Sequence, residues 1–315
     1  MLSIVIITHN TATLLVGLLA SIRQDLSLRP LLREIVVVDN ASTDETAQLV
    51  SKSYPEVHYL KNNKNRGFAA AANQGSALAT GDFLLFLNSD TRLIPGELEK
   101  VLSVISNQAS IGVAGPQLVY EDMRLQRSFA SVPSLLGEVV PFFILNALCP
   151  AKYGKARKGS DGPREVETII GAAMFVNARI LRSLGGLDER FFFFLEETDL
   201  CVRVARSGYK VLFFPSAQVV HLQGRTVKQT WVKGRIEYAI SLYKFIEKYH
   251  SAGYFKLFVG VRLLKSFLFL LLATLLPFLL LSESTRRKYG YYNRLILWHA
   301  RGRPDDAGLK SSFPE

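Results

Sequence analysis

Short apolar runs that stop abruptly at polar residues recur through the first third of the chain. Residues 3–8 (SIVIIT) end at His9 and Asn10, residues 34–38 (EIVVV) at Asp39 and Asn40, and residues 83–87 (FLLFL) at Asn88, Ser89 and Asp90. Runs apolar on both faces predict buried parallel strands covered by helices. Between the first two, apolar residues fall at helical spacing (Leu14, Leu15, Leu18, Leu19, Ile22), and residues 42–45 supply cap-type residues for a second helix. Residues 57–60 predict a third, weaker strand. This alternation predicts an α/β fold: a mostly parallel central sheet, flanked by helices and joined by right-handed crossovers. Ligands of such sheets lie beyond the carboxyl ends of the strands. Asp39 and Asp90 are delivered to that edge, although Asn, Ser and Asp are also ordinary turn residues.

Farther along, residues 65–75 (NRGFAAAANQG) predict a helix with almost no bulk on its first turns. Tight packing of helix on sheet explains this best, with close approach of a ligand as the alternative. Arg66, just before it, is a phosphate-facing or a solvated arginine. A helix over 95–107 and strands over 111–115 and 117–120 follow. Residues 129–158 carry Pro133, Pro141 and Pro150 among apolar residues, which predicts partial helices forming a flap beside the site. The basic residues Lys152, Lys155, Arg157 and Lys158 close that segment, as a solvated loop or as a contact to lipid or a phosphorylated acceptor. Residues 167–176 predict one strand whose small residues Gly171, Ala172 and Ala173 indicate close approach by a neighbour.

A second chemical centre follows four phenylalanines. Glu196, Glu197, Thr198 and Asp199 open a helix that ends near Gly208. Acidic residues suit a helix N-terminus for structural reasons alone. Asp199 has Arg203 four residues on, whereas Glu197 has Leu200 and Cys201 at those spacings, so Glu197 is the freer carboxylate. A phenylalanine wall would raise its pKa toward useful base strength. Residues 210–214 and 218–220 predict two short strands ending at His221, a metal ligand or a satisfied turn residue.

Composition narrows the classes. The 315 residues are 49% apolar and 21% charged, with a formal charge of +11. Such a chain folds, and its charge favours an anionic partner. No zinc-like or arginine-rich cluster occurs in the first two thirds, which speaks against nucleic acid. No GxGxxG follows the first strands, which speaks against a dinucleotide site. Cys149 and Cys201 make no disulfide framework, and the first residues read as a strand rather than a signal peptide, so a cytosolic compartment is expected. Near the other end, residues 226–250 predict an amphipathic helix. Residues 267–281, fifteen in all, are apolar apart from Thr274. They fall short of the ~20 needed to span a bilayer. Basic residues flank them on both sides (Arg262, Lys265, Arg286, Arg287, Lys288). An in-plane or re-entrant segment on the cytoplasmic face is therefore expected, ahead of a single tilted span or a core helix. Arg294, Trp298, Arg301 and Arg303 read as an interfacial basic-aromatic tail.

Seven segments in order, SIVIITHN, EIVVVDNASTDET, NRGFAAAANQG, FLLFLNSDT, GAAMFVNARIL, GGLDERFFFFLEETDLCVRVARSGYKV and FPSAQVVHLQG, resemble glycosyltransferase family 2 over residues 2–224. Within that family the chain is similar to rhamnosyltransferase-like enzymes of bacterial cell-surface polysaccharide synthesis. The resemblance implies a GT-A fold and transfer with inversion at the anomeric carbon. It places Thr8, Asn10 and Asp39 at nucleotide contacts, with Arg66, Gly67, Asn88 and Ser89 beside the donor. Asn88, Ser89 and Asp90 match the DXD motif. Its first position is Asn here, so binding of a divalent metal, Mg2+ or Mn2+, rests on Asp90, with His221 completing the site. Glu196 and Glu197 match an acidic pair whose second member is the base; glutamate stands for aspartate, one methylene longer.

The resemblance also implies a nucleotide-diphosphate sugar donor, with dTDP-rhamnose ahead of UDP-hexoses. The implied acceptor is a glycan on a polyprenyl diphosphate at the cytoplasmic membrane surface. Residues 1–224 form the expected catalytic domain. Residues 225–315 form a helical region with a membrane-associating segment at about 254–282 and a basic tail. Two other readings remain at this stage: a polyprenyl-phosphate sugar synthase of the same fold, and a non-catalytic nucleotide-sugar-binding scaffold. Intact Asp90, Glu197 and His221 argue against the scaffold.

Overall fold

A computed structural model describes residues 1–153, 162–222 and 231–312. Lys155, Arg157, Lys158 and the last two residues of the FPSAQVVHLQG segment lie outside the described residues. The chain runs β1 (Leu2–Thr8), α1 (Ala12–Gln24), β2 (Leu32–Asp39), α2 (Thr46–Ser53), β3 (His58–Lys61), α3 (Phe68–Leu78) and β4 (Phe83–Asn88). Then come β5 (Thr91–Leu93), α4 (Glu97–Ile105), β6 (Ile111–Val119) and β7 (Phe129–Ala130). Three short helices follow, α5 (Leu135–Val139), α6 (Phe142–Leu148) and α7 (Pro150–Tyr153). Next are β8 (Arg164–Glu165), β9 (Thr168–Ile169), β10 (Ala173–Asn177), α8 (Ala178–Ser183), α9 (Glu196–Arg206) and β11 (Lys210–His221). The last helices are α10 (Trp231–Tyr249), α11 (Ala252–Leu275) and α12 (Glu283–Ala300), with a 3-10 turn at Pro277–Leu281.

The sheet order is β3-β2-β1-β4-β10-β6-β11-β5. The first four strands are parallel, as the alternation predicts. β10 enters antiparallel between β4 and β6, so the sheet as a whole is mixed. Alternate residues of the central strands serve opposite faces. Ile4, Ile6, Leu85 and Leu87 pack on α1 and α4, while Val5, Leu84 and Phe86 pack on α3, α8 and α9. Burial on both faces is why these strands lack polar alternation. The small residues of α3 serve packing: Ala69 to Ala72 are buried, and a Cβ on Gly75 would lie 2.4 Å from Val5 Cγ1.

Four details differ from the sequence expectation. Residues 111–119 form one strand, not two, and so do residues 210–221. Their parallel register breaks between Phe214 and Gln218, opposite Pro116. Proline offers no ladder donor, so the breaks that read as strand ends are a bulge inside one pair. Conversely, residues 167–176 are split, because the backbone turns at Gly171 and Ala172. The apolar helix is α11, 24 residues long and ending before Pro277, so it is long and apolar enough to cross a membrane by length and composition. Its basic residues misled the count from sequence: Arg262 and Lys265 point back to Glu138 of α5, at 3.1 and 3.3 Å. Finally, Trp298 is no interfacial anchor. It is buried against Tyr243, and its indole N–H donates to the Pro304 carbonyl at 2.9 Å.

A third core joins the C-terminal helices to the sheet domain. Phe191 and Leu195 pack with Ile236, Ile240 and Phe245 of α10, Phe258 of α11 and Leu295 of α12.

Candidate active site

The register β1–β2–β4 sets Thr8 level with Asp39 and Ile7 level with Asn88, so three strand ends open onto one shelf. A chain of hydroxyls crosses it: Thr8 Oγ1 to Thr11 Oγ1 at 2.7 Å, then Thr11 Oγ1 to Ser89 Oγ at 2.8 Å. Asn10 has a left-handed backbone (φ 52). It grips the loop after β2, its N–H donating to Ser42 Oγ and its Oδ1 accepting from Thr43 N–H, both at 2.8 Å. Asp39 is fully buried and accepts from Ser42 N–H at 2.7 Å and from the Tyr59 hydroxyl. Its carboxylate therefore holds the loop after β2 and is closed to solvent in this structure.

Asn40, which the sequence reading passed over, organises the next loop. Its Oδ1 accepts from Arg66 N–H at 2.9 Å and its Nδ2 donates to Gly67 O at 3.1 Å. Gly67 has φ +83, and a Cβ there would lie 2.5 Å from the Phe192 carbonyl. Only glycine suits that backbone and that approach. The same carbonyl accepts from Phe68 N–H at 2.7 Å, so the Arg66–Gly67 loop is pinned to the phenylalanine run. The Arg66 side chain is exposed.

Asp90 and His221 come together although 131 positions separate them. β5 runs antiparallel to the end of β11, with His221 opposite Thr91, and Leu222 N–H donates to Asp90 O at 2.9 Å. His221 Nε2 lies 3.4 Å from Asp90 Oδ1. Gln126, invisible from sequence, fixes which proton the imidazole carries. Its amide Nε2 donates to Val119 O at 3.1 Å and to His221 O at 2.5 Å. Its Oε1 is thereby left facing His221 Nδ1 at 3.1 Å, which favours hydrogen on Nδ1; the neutral imidazole of that tautomer has its Nε2 lone pair on the Asp90 side. A lone pair facing a carboxylate suits a shared cation. Imidazole and carboxylate fit Mn2+ or Mg2+, with the remaining positions open to diphosphate oxygens and water. No group of three His, Cys, Asp or Glu is arranged for a metal among the described residues.

Outer-sphere partners of a ligating histidine are worth roughly 10–100-fold in metal affinity. Gln126→Leu is therefore expected to weaken Mn2+ binding by that order in an electron paramagnetic resonance titration with a nucleoside diphosphate present. Unchanged affinity would remove Gln126 from this role.

The acidic pair sits at the start of α9, behind two consecutive left-handed residues, Phe194 (φ 72) and Leu195 (φ 67). Such backbone strain persists only where the surroundings enforce it. Glu196 is 6% exposed, and its Oε2 has no hydrogen-bond partner. Burial, and then the neighbouring Glu197 charge, push its pKa well above the ordinary value. Glu197 is the more accessible carboxylate. Burial raises it to about 7, even though backbone N–H groups at the helix start and the Thr198 hydroxyl favour its charged form. It thus has local partners, but they are the helix's own first donors rather than a cation.

Asp199 makes the expected pair with Arg203 Nε (2.7 Å) and two bonds not foreseen, from Lys248 Nζ (2.5 Å) and Tyr249 OH (2.7 Å) of α10. The phenylalanine wall is real: Phe68, Phe193, Phe194 and Tyr238 form a chain of edge-on contacts. Gly171 and Ala172 connect the two chemical centres. Ala172 O accepts from Asn88 N–H at 3.0 Å, and a Cβ on Gly171 would lie 3.4 Å from Glu197 Cβ. One side of this turn carries the Asp90 loop, and the other receives the base candidate.

Known proteins share this architecture. A mannosyltransferase of Pyrobaculum calidifontis, solved with GDP-mannose and Mn2+, superposes with a TM-score of 0.56 at 19% identity, covering 83% of this chain and 68% of that one. GalNAc-T7, solved with UDP, GalNAc and Mn2+, gives 0.55 at 20% identity, over 70% of this chain and 42% of its own length. These likenesses establish a GT-A fold. In sequence, the chain is 26% identical over 266 residues to the N-acetylglucosaminyl-diphospho-decaprenol L-rhamnosyltransferase of Mycobacterium tuberculosis, covering 79% of this chain and 85% of that protein. A pre-mycofactocin glycosyltransferase of the same species is 27% identical over 237 residues, or 75% of this chain and 45% of its own. The model of glycosyl transferase family 2 matches residues 3–181, more than half of the chain, and the protein belongs to that family as a rhamnosyltransferase-like glycosyltransferase.

Proposed function

We propose that this glycosyltransferase moves rhamnose from dTDP-rhamnose, with inversion, to a hydroxyl of a glycan carried on a polyprenyl diphosphate. The observation that carries the reading is the shared turn at Gly171 and Ala172, which meets Glu197 on one side and Asn88, two residues before Asp90, on the other. The Thr8, Thr11 and Ser89 hydroxyls and the Asn10 loop line the donor shelf. Asp90 and His221 would hold a divalent ion; when bound, it neutralises the diphosphate of the leaving nucleotide. Glu197 takes the proton of the acceptor hydroxyl as that oxygen attacks the anomeric carbon from the face opposite the diphosphate. The choice of rhamnose and of a diphosphate-linked lipid acceptor is supported by likeness to the mycobacterial rhamnosyltransferase.

In this reading residues 1–224 carry the chemistry and residues 225–315 bring the protein to the cytoplasmic membrane face. α11 shows how. Leu264, Phe267, Leu268, Leu271, Leu272 and Leu275 are exposed and fall on one helical stripe, whereas Phe258, Arg262 and Ser266 are buried on the other face. A helix docked on one side and apolar on the other lies in the interface. The protein is expected to float with anionic vesicles and to lose this when Leu264, Phe267, Leu268 and Leu271 become Gln. Continued flotation would refute the stripe.

The experiment for the function is nucleotide release against dTDP-, UDP- and GDP-sugars, with donor binding measured in the same samples. Metal-dependent release from dTDP-rhamnose is expected. Release from another donor would replace the sugar, and neither release nor binding from any donor would refute the reading.

A further inference from the structure

A cavity of about 340 Å³ opens between the flap residues and α10, α11 and α12. That volume lies within the roughly 300–1,000 Å³ typical of small-ligand sites. Its wall carries four cations, Arg127, Arg235, Arg262 and Lys265, against one carboxylate, Glu138. Glu138 is shared by Arg262 and Lys265. Arg262 is only 6% exposed, and its Nε has no partner. Arg127 and Arg235 have no carboxylate partner among the described residues. Arg127 donates to the Phe129 carbonyl at 3.2 Å and lies over Phe142; Arg235 lies over Trp231, Tyr238 and Tyr291. Gathering four positive charges around one negative charge in a partly dry cavity is unfavourable unless an anion completes it. Guanidinium forks match phosphate oxygens.

Position selects the anion. Tyr238 of its wall packs on Phe194, two residues before Glu196. Lys265 and Phe258 of its wall belong to α11, whose outer stripe is apolar. The cationic cavity therefore adjoins both the helix start that carries the acidic pair and the helix that carries the apolar stripe. A lipid-linked acceptor has its diphosphate between sugar and hydrocarbon.

We propose that this cavity holds the diphosphate of the polyprenyl-linked acceptor, with Arg127, Arg235 and Arg262 on its oxygens and the chain leaving along α11. This rests on the lipid-linked acceptor of the proposed function. The probe is farnesyl diphosphate, titrated into the full chain in neutral detergent with EDTA to suppress binding at Asp90 and His221. Fluorescence of Trp231, 5.8 Å from the Arg235 guanidinium, reports occupancy. Farnesyl diphosphate is expected to bind at least about tenfold tighter than farnesol. The double variant Arg127→Gln, Arg235→Gln is expected to lose about tenfold or more for the diphosphate and nothing for farnesol. Both arginines also pack on aromatic rings, so unchanged farnesol affinity is the control that the variant is folded; Arg235→Lys, which keeps charge without the fork, is the second variant and should fall between.

Equal binding of farnesol and its diphosphate, or diphosphate affinity unmoved by the double substitution, would overturn the assignment. So would displacement of the probe by dihexanoyl phosphatidylglycerol at equal concentration, which would make the cavity a general headgroup site. Sugar transfer with no diphosphate binding here removes only the cavity assignment. Diphosphate binding alongside a silent donor panel supports the cavity and removes the sugar-transfer reading.

Discussion

A Glu197→Gln protein binds its nucleotide sugar as wild type does and turns over roughly 10²–10⁴-fold more slowly, the usual contribution of a positioned base. The substitution keeps volume and hydrogen-bonding oxygen at the start of α9 but removes the proton acceptor. The wild-type pH profile carries a second signature. Burial raises Glu197 to about 7, so activity should climb with pH on a limb centred there, and that limb should be absent from the residual activity of the variant. Stability moves the other way. An acid whose folded pKa exceeds its unfolded value contributes stability that is complete below the unfolded value and lost as pH rises through the folded one. Glu197→Gln should therefore melt higher than wild type above pH ~7 and level with it at low pH. Normal turnover in the variant would move the base elsewhere, with Glu196 tested next.

Asp90→Ala should be as damaging by a different route. It removes the carboxylate that faces His221 Nε2 at 3.4 Å, leaving an imidazole as the only charged or ring ligand of the pair. An ion neutralising a leaving diphosphate is worth several kcal/mol, so a loss of about 10³-fold in kcat/KM is expected. Mn2+ affinity should fall in parallel, and EDTA should bring wild type to the same level. Full activity of Asp90→Ala in EDTA would end the metal assignment.

The strand ends were legible because burial on both faces strips polar residues from a strand, which makes Asp39, Asn88 and Asp90 stand out where the run stops. The Asp199–Arg203 pair was legible from spacing, whereas the helix-start donors that meet Glu197 were not, because they are backbone groups of the same turn. Gln126 was not, since nothing local marks a glutamine whose importance lies in an amide orientation set by two distant carbonyls. Asn40 was hidden in plain view beside a more suggestive aspartate. The length of α11 was masked by Arg262 and Lys265, which look like membrane-stopping charges until Glu138 is seen beside them. Trp298 shows the converse error, an aromatic residue among arginines that packs inward.

The Asp199 clasp bears on how this enzyme can be recombined. A chimera joined at residue 224 would inherit Asp199 and Arg203 from one parent and Lys248 and Tyr249 from the other, and a mismatched graft would strand a buried charge, at about 3–5 kcal/mol. A crossover placed after Tyr249 keeps the clasp on one parent, so α11 and α12 could be exchanged between relatives without disturbing α9.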